Sequence, residues 1–423
     1  MGSSTETVAS SDATDPTASN ATETQPSADD DVGGDPADNT TEDTTGLVNP
    51  SMDGSTADEA ATPMDEQPTN DDATSQDQAP MMRDGLYGFF PTTVTEAEVQ
   101  TMYESWRSEW TESCGDGRVR VRWDDPGKTV SEGIGYGMLL AASWQDRETF
   151  DGMLAYYQSH LNANGLMGWI GDCNATDDDG AATDADLDVA MSLLMADCIW
   201  PDGTYGVEAT SVINALDTTV LMDDGGHQFL CAGDGWGPDC CGNPSYQTPA
   251  YYRAFAAHVP EAADTWNQAA ADSYYYLDKY VNSTTGLMPD WMDPDVLQCD
   301  AKDPGDWHGW DASRVPWRVT TDYTWWDIPE AQQYAALVAG FVAGQGGVAS
   351  TCQGYALDGS NCSGTPVTTF AGSFATSAIA VDQATADQFF SDLKQVDSSG
   401  YFNAILNVLY FTLAVERFVP GCH

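Results

Sequence analysis

The sequence predicts an all-α domain, and three observations carry that expectation. Helical periodicity recurs near 95–110, 133–146, 149–162, 186–199, 206–218, 248–258, 262–281, 312–325, 330–344, 366–378, 384–396 and 402–416. Strand patterning is confined to short pieces such as 118–123. The helical segments are separated by long stretches rich in Gly, Asp and Trp, among them 225–243 and 288–309, and long ordered loops on a helical scaffold build binding surfaces. About twelve helices in roughly 340 residues suit a toroid of paired helices, with a helical solenoid as the other arrangement the periodicity allows.

The segment before the helices is of another kind. Residues 1–85 are Ser, Thr, Asp, Ala and Pro in near-random order, with 20 acidic residues, one basic residue (Arg83) and no Phe, Trp or Tyr. Such a segment buries too little apolar surface to offset its chain entropy, so it is expected to be a disordered, self-repelling linker, either a tether to a cell surface or a solubilising tail. Residues 86–423 are expected to form one folded domain, still carrying 47 acidic against 13 basic side chains.

The 423 residues sum to a net charge of −53. A surface this acidic repels a polyanion, which excludes nucleic acid as a partner and favours neutral or cationic ligands. No apolar run is long enough to span a bilayer. Asp predominates and only four Lys occur (Lys128, Lys279, Lys302, Lys394); this carboxylate shell repels itself at low salt and is screened in brine, which points to salt adaptation. The ten Cys all lie between Cys114 and Cys422. Their even number, the absence of any CxxC pair and the adjacent Cys240 and Cys241 read as disulfides from an oxidising compartment rather than a zinc site. Met1-Gly2-Ser3-Ser4 runs directly into polar sequence, as expected of a mature form whose export signal has been removed.

Three helix starts present carboxylates. In VSEGIGYGM at 130–138, Thr129 and Glu132 have capping-box spacing, yet three alternating glycines weaken the helix by roughly 1 kcal/mol each, a cost that suits a place where something approaches the backbone closely. In ATDADLDVAMSLL at 182–194, Leu187, Met191 and Leu194 make an inward stripe, Thr183 can cap with Asp186, and Asp186 and Asp188 suit the helix dipole. Asp184, beside the cap, is placed to point into a mouth formed by helix ends. No register of 172–188 gives an EF-hand loop. In WDASRVPWR at 310–318, Asp311 is an acceptable N-cap and Arg314, one turn on, can pair with it; a carboxylate held by Arg stays ionised near neutrality, as a general base must.

In a ring of helices such starts converge at one end. Trp169, Trp236, Tyr246 and Tyr401 lie in or beside the intervening loops, and flat aromatic faces with Asp side chains suit the stacking and hydrogen bonding of sugar rings. The five His are scattered, with no HExxH and no close Ser/His/Asp grouping, so nucleophilic or zinc hydrolysis is unsupported.

These motifs resemble glycoside hydrolase family 8, the (α/α)6-barrel endoglucanase, xylanase and chitosanase group, over about 86–423. VSEGIGYGM, GLMGW at 165–169, ATDADLDVAMSLL, NPSYQTPAYYRAF at 243–255 and WDASRVPWR stand in family order. Val189, where Ile or Met is commoner, and Trp310, where Tyr is usual, depart from the pattern.

The resemblance implies that 86–423 is a catalytic domain, with Glu132 as general acid, Asp184 holding the sugar and tuning that acid, and Asp311 as base with Arg314 beside it. Asp322, in TDYTWW, is the alternative base. Trp169, Trp236 and Tyr246 correspond to substrate-binding aromatics, with Tyr401 a further candidate. The implied reaction is inverting hydrolysis, with carboxyls roughly 6.5–9.5 Å apart; Asp184 raises the acid's pKa while Arg314 keeps the base ionised, and no metal or organic cofactor takes part. The chitosanase branch replaces the base Asp with Asn, so Asp311 favours glucan or xylan, and NPSY with GLMGW looks most like the endo-β-1,4-glucanases. The expected protein is therefore a monomer acting on β-1,4-linked polysaccharide, secreted or tethered at the cell surface. The rival readings are a xylanase or chitosanase of the same family, or a non-catalytic glycan-binding protein.

Overall fold

The computed structural model describes residues 85–235, 239–300, 302 and 304–421. The segment read as a linker lies outside them except for Gly85, and so does Trp236. Among the described residues there are twelve α-helices, one for each periodic segment: α1 (Glu96–Trp110), α2 (Ser131–Ser143), α3 (Arg147–Ser159), α4 (Thr183–Ile199), α5 (Thr204–Thr219), α6 (Pro249–His258), α7 (Ala263–Tyr280), α8 (Val315–Trp326), α9 (Pro329–Gly344), α10 (Thr368–Ser377), α11 (Gln383–Leu393) and α12 (Tyr401–Ala414).

Their contacts decide between toroid and solenoid. The even-numbered helices touch in order from α2 to α12, and α12 returns to α2. Each packs outward against an odd-numbered neighbour, α2 on α3 through α10 on α11, with α12 on α1. A closed ring of six helices inside a second ring is an (α/α)6 barrel. Burial follows from this arrangement. All ten residues of α10 are buried, because an inner helix has protein on every side. On the outer helix α1 only Val99, Tyr103 and Trp106 are buried, the single stripe of an amphipathic helix. No helix among the described residues is long and apolar enough to cross a membrane.

Short strands dress one end of the barrel. β1 (Thr111–Ser113) pairs with β2 (Val119–Val121), the piece the sequence marks as strand. β3 (Thr129–Val130), β4 (Gly168–Gly171) and β5 (Thr176–Ala181) form an antiparallel sheet that leads directly into α2 and α4. β6 (Leu221–Asp224) and β7 (His227–Leu230) make a hairpin through Gly225 and Gly226, both at positive φ, and β8 (Trp307–His308) pairs with β9 (Tyr355–Ala356). Cys114–Cys173, Cys231–Cys240, Cys241–Cys299 and Cys352–Cys362 staple these loops, and Cys198 is disulfide-bonded as well. The Cys241–Cys299 bond spans 58 residues and restrains a long stretch of unfolded chain.

Candidate active site

The starts of α2, α4 and α8 meet around one side chain, Arg314. Its Nη1 lies 2.6 Å from Asp184 Oδ2 and 3.9 Å from Glu132 Oε2, and its Nη2 lies 3.8 Å from Asp311 Oδ1. Nη1 also donates to the Tyr136 hydroxyl at 2.8 Å. All three carboxylates read from the sequence are thus brought together with Arg314.

Local structure explains why these side chains are free. α2 starts at Ser131 with Val130 as a cap residue that makes no side-chain cap bond, so Glu132 closes no capping box and turns toward the mouth. Thr129 instead lies in β3, near the Arg120 guanidinium. The glycines of this helix have the use their cost implied. A Cβ on Gly133 would sit 2.7 Å from the Tyr401 hydroxyl, and one on Gly135 would sit 2.8 Å from the Ala185 carbonyl of α4.

Asp186 and Asp188 differ from their expected dipole role. Asp186 accepts from the Tyr157 hydroxyl at 2.6 Å and the Met167 amide at 3.0 Å. Asp188 is bidentate with Arg318 at 2.6 and 2.7 Å. The reason is that α4 is an inner helix without a solvent face, so its charges must find buried partners. Thr183, expected as a cap, is the first helical residue and donates to the Cys231 carbonyl.

The two outer carboxyls have unlike surroundings. Glu132 keeps 23% of its side chain exposed and accepts from the Tyr401 hydroxyl at 3.4 Å. Burial, with the charges of Asp184 and Asp311 against the opposing Arg314, pushes its pKa up to about 8. Asp311 is 40% exposed. Burial also pushes it upward, against Arg314 and the Asn243 amide, which donates to Oδ1 at 2.9 Å. The direct hydrogen bond to Asp311 is therefore Asn243's, while Arg314's short contact is with Asp184. Asp184 is closed off beneath Arg314, its other oxygen accepting from the Ala185 amide at 3.0 Å.

The aromatic residues divide by exposure. Trp169, on β4, is 40% exposed and meets Trp123 edge-on. Tyr246 and Tyr401 are buried: Tyr246 lies beneath the Arg314 guanidinium at 5.5 Å, and Tyr401 reaches Glu132. Trp310, beside Asp311, is 41% exposed and rests against Phe370 and against Phe402, whose ring also lies 5.7 Å from Arg314. Asp322 is brought elsewhere: fully buried on α8, it is held by Arg253 at 3.0 Å and by the Tyr274 hydroxyl at 2.7 Å.

Sequence reasoning missed Asn243, Tyr136 and Asp290. Tyr136 stands one helical turn beyond Glu132, a spacing that puts both on one face. Asn243 opens the NPS run, where it caps the short turn Pro244–Tyr246. Asp290 is a lone loop Asp and gave no signal.

What this site can do follows from its charges. One carboxyl is pushed toward its protonated form while a second, across one guanidinium, keeps 40% of its side chain exposed beside the exposed Trp310. Delivering a proton to a glycosidic oxygen while water attacks is the chemistry of a glycoside hydrolase. The chain belongs to glycosyl hydrolases family 8, whose family model matches residues 80–415.

It is 33% identical over 352 residues to Endoglucanase A of Acetivibrio thermocellus, covering 77% of this chain and 72% of that protein. It is 34% identical over 322 residues to Endoglucanase C of Ruminiclostridium cellulolyticum, covering 74% and 68%. The solved structure of a β-1,3-1,4-glucanase from Paenibacillus sp. X4 superposes with a TM-score of 0.71 at 25% identity, over 79% of this chain and 95% of that one.

Proposed function

We propose that the protein is a secreted, monomeric, endo-acting and inverting β-1,4-glucanase for soluble cellulosic and mixed-linkage glucans. Glu132 is the general acid and Asp311 the general base. The observation that carries this is the single guanidinium between the two carboxyls. Trigonal C–N bonds of about 1.33 Å put its two terminal nitrogens about 2.3 Å apart, so the nearer oxygens of Glu132 and Asp311 are no more than about 10 Å apart. That upper bound admits the roughly 6.5–9.5 Å in which an inverting enzyme seats its water as well as the roughly 5–5.5 Å of a retaining one, and the anomer first released distinguishes them.

Glu132, protonated at neutral pH, gives its proton to the departing oxygen. Asp311, steadied by Asn243, takes one from the water attacking the opposite face. Asp184 acts through its charge, raising the acid's pKa and anchoring Arg314. Its sugar-holding role has little support, since its carboxylate is buried under that guanidinium. Asp322 is unsuited to be the base, because Arg253 and Tyr274 already occupy its oxygens. Trp169 and Trp310 offer exposed faces to sugar rings. The endoglucanase and β-1,3-1,4-glucanase relatives support glucan over xylan, and the disulfides support an extracellular site of action. The remaining net −34 on 86–423 supports salt adaptation.

The test is reducing-sugar release from carboxymethyl cellulose, lichenan, xylan and chitosan by wild type, Glu132→Gln and Asp311→Asn. Release from the two glucans, abolished in both variants, is expected. Release from xylan or chitosan alone would overturn the glucan assignment, and unchanged turnover in the variants would favour a glycan-binding protein with adventitious activity.

A further inference from the structure

Asp311 occupies the position before the short turn Ala312–Arg314, yet its side chain makes no cap bond there. Its backbone is already helical, and the Ser313 amide reaches the Gly309 carbonyl at 3.0 Å, so the turn opens at Gly309 and the amides left without a partner inside it come before Ser313. Here another segment supplies the acceptor. Asp290 Oδ1 accepts from the Gly309 amide at 2.9 Å and from the Ala312 amide at 2.8 Å, so one oxygen brackets Trp310 and Asp311 from both sides. The approach is close enough to need a glycine: a Cβ on Gly309 would lie 2.3 Å from Asp290 Oδ2.

The loop that carries Asp290 is itself braced. Met292 and Gly242 exchange both backbone hydrogen bonds, at 2.8 and 2.9 Å, and the residue after Gly242 is Asn243, which donates to the Asp311 carboxylate. One joined pair of segments thus holds Asp311 twice, by its backbone through Asp290 and by its side chain through Asn243.

We propose that Asp290 is a positioning residue for Asp311: it caps the 309–312 turn from a separate segment and so fixes the direction in which the Asp311 carboxylate faces the attacking water. This rests on the reading of Asp311 as the base. The effect of Asp290 passes through the backbone of the turn. Without it the Gly309 and Ala312 amides lose this acceptor, and a turn free to shift by about an ångström carries the Asp311 carboxylate away from the water. Misplacement on that scale costs about 10²-fold in rate.

The experiment is steady-state kinetics on carboxymethyl cellulose and a cello-oligosaccharide, with thermal melts, for Asp290→Ala, Asp290→Asn, Gly309→Ala and Asp311→Ala. Asp290→Ala is expected to lose about 10²-fold in kcat with KM changed less than about twofold. Asp290→Asn keeps a carbonyl acceptor and is expected to recover to within about fivefold of wild type. Gly309→Ala, which pushes Asp290 away without removing it, is expected to lose kcat as Asp290→Ala does, and it carries the test if Asp290→Ala fails to fold. Wild-type kcat in Asp290→Ala, or Asp290→Asn as impaired as Asp290→Ala, would overturn the positioning role while Asp311→Ala remained inactive. An active Asp311→Ala would instead overturn the base assignment on which the inference stands.

Discussion

Arg314 pairs with Asp184 at 2.6 Å, and Asp311 stands 3.8 Å away across the same guanidinium. Glu132, at 3.9 Å, is the third carboxyl in its reach. The arginine's short contact is thus with the carboxylate whose charge, after burial, does most to raise the Glu132 pKa. Asp184→Asn removes that charge and frees Arg314 to act on Glu132, and both changes lower the acid's pKa. The basic limb of the kcat/KM profile, expected near pH 8 in wild type, should move down by about one unit. A pH–rate series on lichenan measures it, and an unmoved limb would assign that limb to another group.

The raised pKa of Glu132 is also a statement about stability. Unfolded, the side chain titrates near 4.5; folded, near 8. As pH rises between these values the unfolded state ionises first, so the fold loses stability across that window. Glu132→Gln cannot ionise. Its melting temperature is expected to exceed wild type by roughly 2–5 °C at pH 7.5 and to match it at pH 4, below both values. Equal offsets at the two pH values would exclude an elevated pKa.

A general acid matters in proportion to the basicity of the leaving group. On polysaccharide, Glu132→Gln should lose about 10²–10⁴-fold in kcat. An aryl cello-oligosaccharide with a dinitrophenolate leaving group needs no proton, so most of that loss should disappear. Asp311→Asn should remain impaired on both substrates. Matched losses for the two variants on the aryl substrate would contradict the division of roles.

The barrel was legible because its outer helices carry an amphipathic stripe, as α1 does with Val99, Tyr103 and Trp106, while its inner helices read as longer apolar stretches buried all round; all twelve segments are helices. The strands were less so: β5 reads TDDDGA and owes its form to pairing with β4 rather than to any apolar alternation. Glu132, Asp184 and Asp311 were legible as carboxylates at helix starts. Their partners were less so, because proximity in a ring does not follow sequence. Arg314 looks like the partner of Asp311, three residues away, and the closed barrel gives it Asp184, 130 residues away. Asp186 and Asp188 look like dipole residues until α4 is seen to have no solvent face. Asp290 bonds to amides 19 and 22 residues beyond it, a contact that no local spacing signals.

The acidic surface makes a prediction independent of the site. Asp177, Asp178 and Asp179 stand together on β5, with Lys128 bonded to Asp177 and Asp172. Screening such neighbours should stabilise the fold, so the melting temperature is expected to rise in molar NaCl. A fall or no change would set salt adaptation aside.

Glu132 and Asp311 are expected to work on opposite faces of the sugar, with a water between the base and the anomeric carbon. Proton NMR of lichenan or a cello-oligosaccharide in the first minutes of hydrolysis, before mutarotation, reads this directly. The new reducing ends are expected to appear first as the α anomer; initial release of the β anomer would contradict inversion.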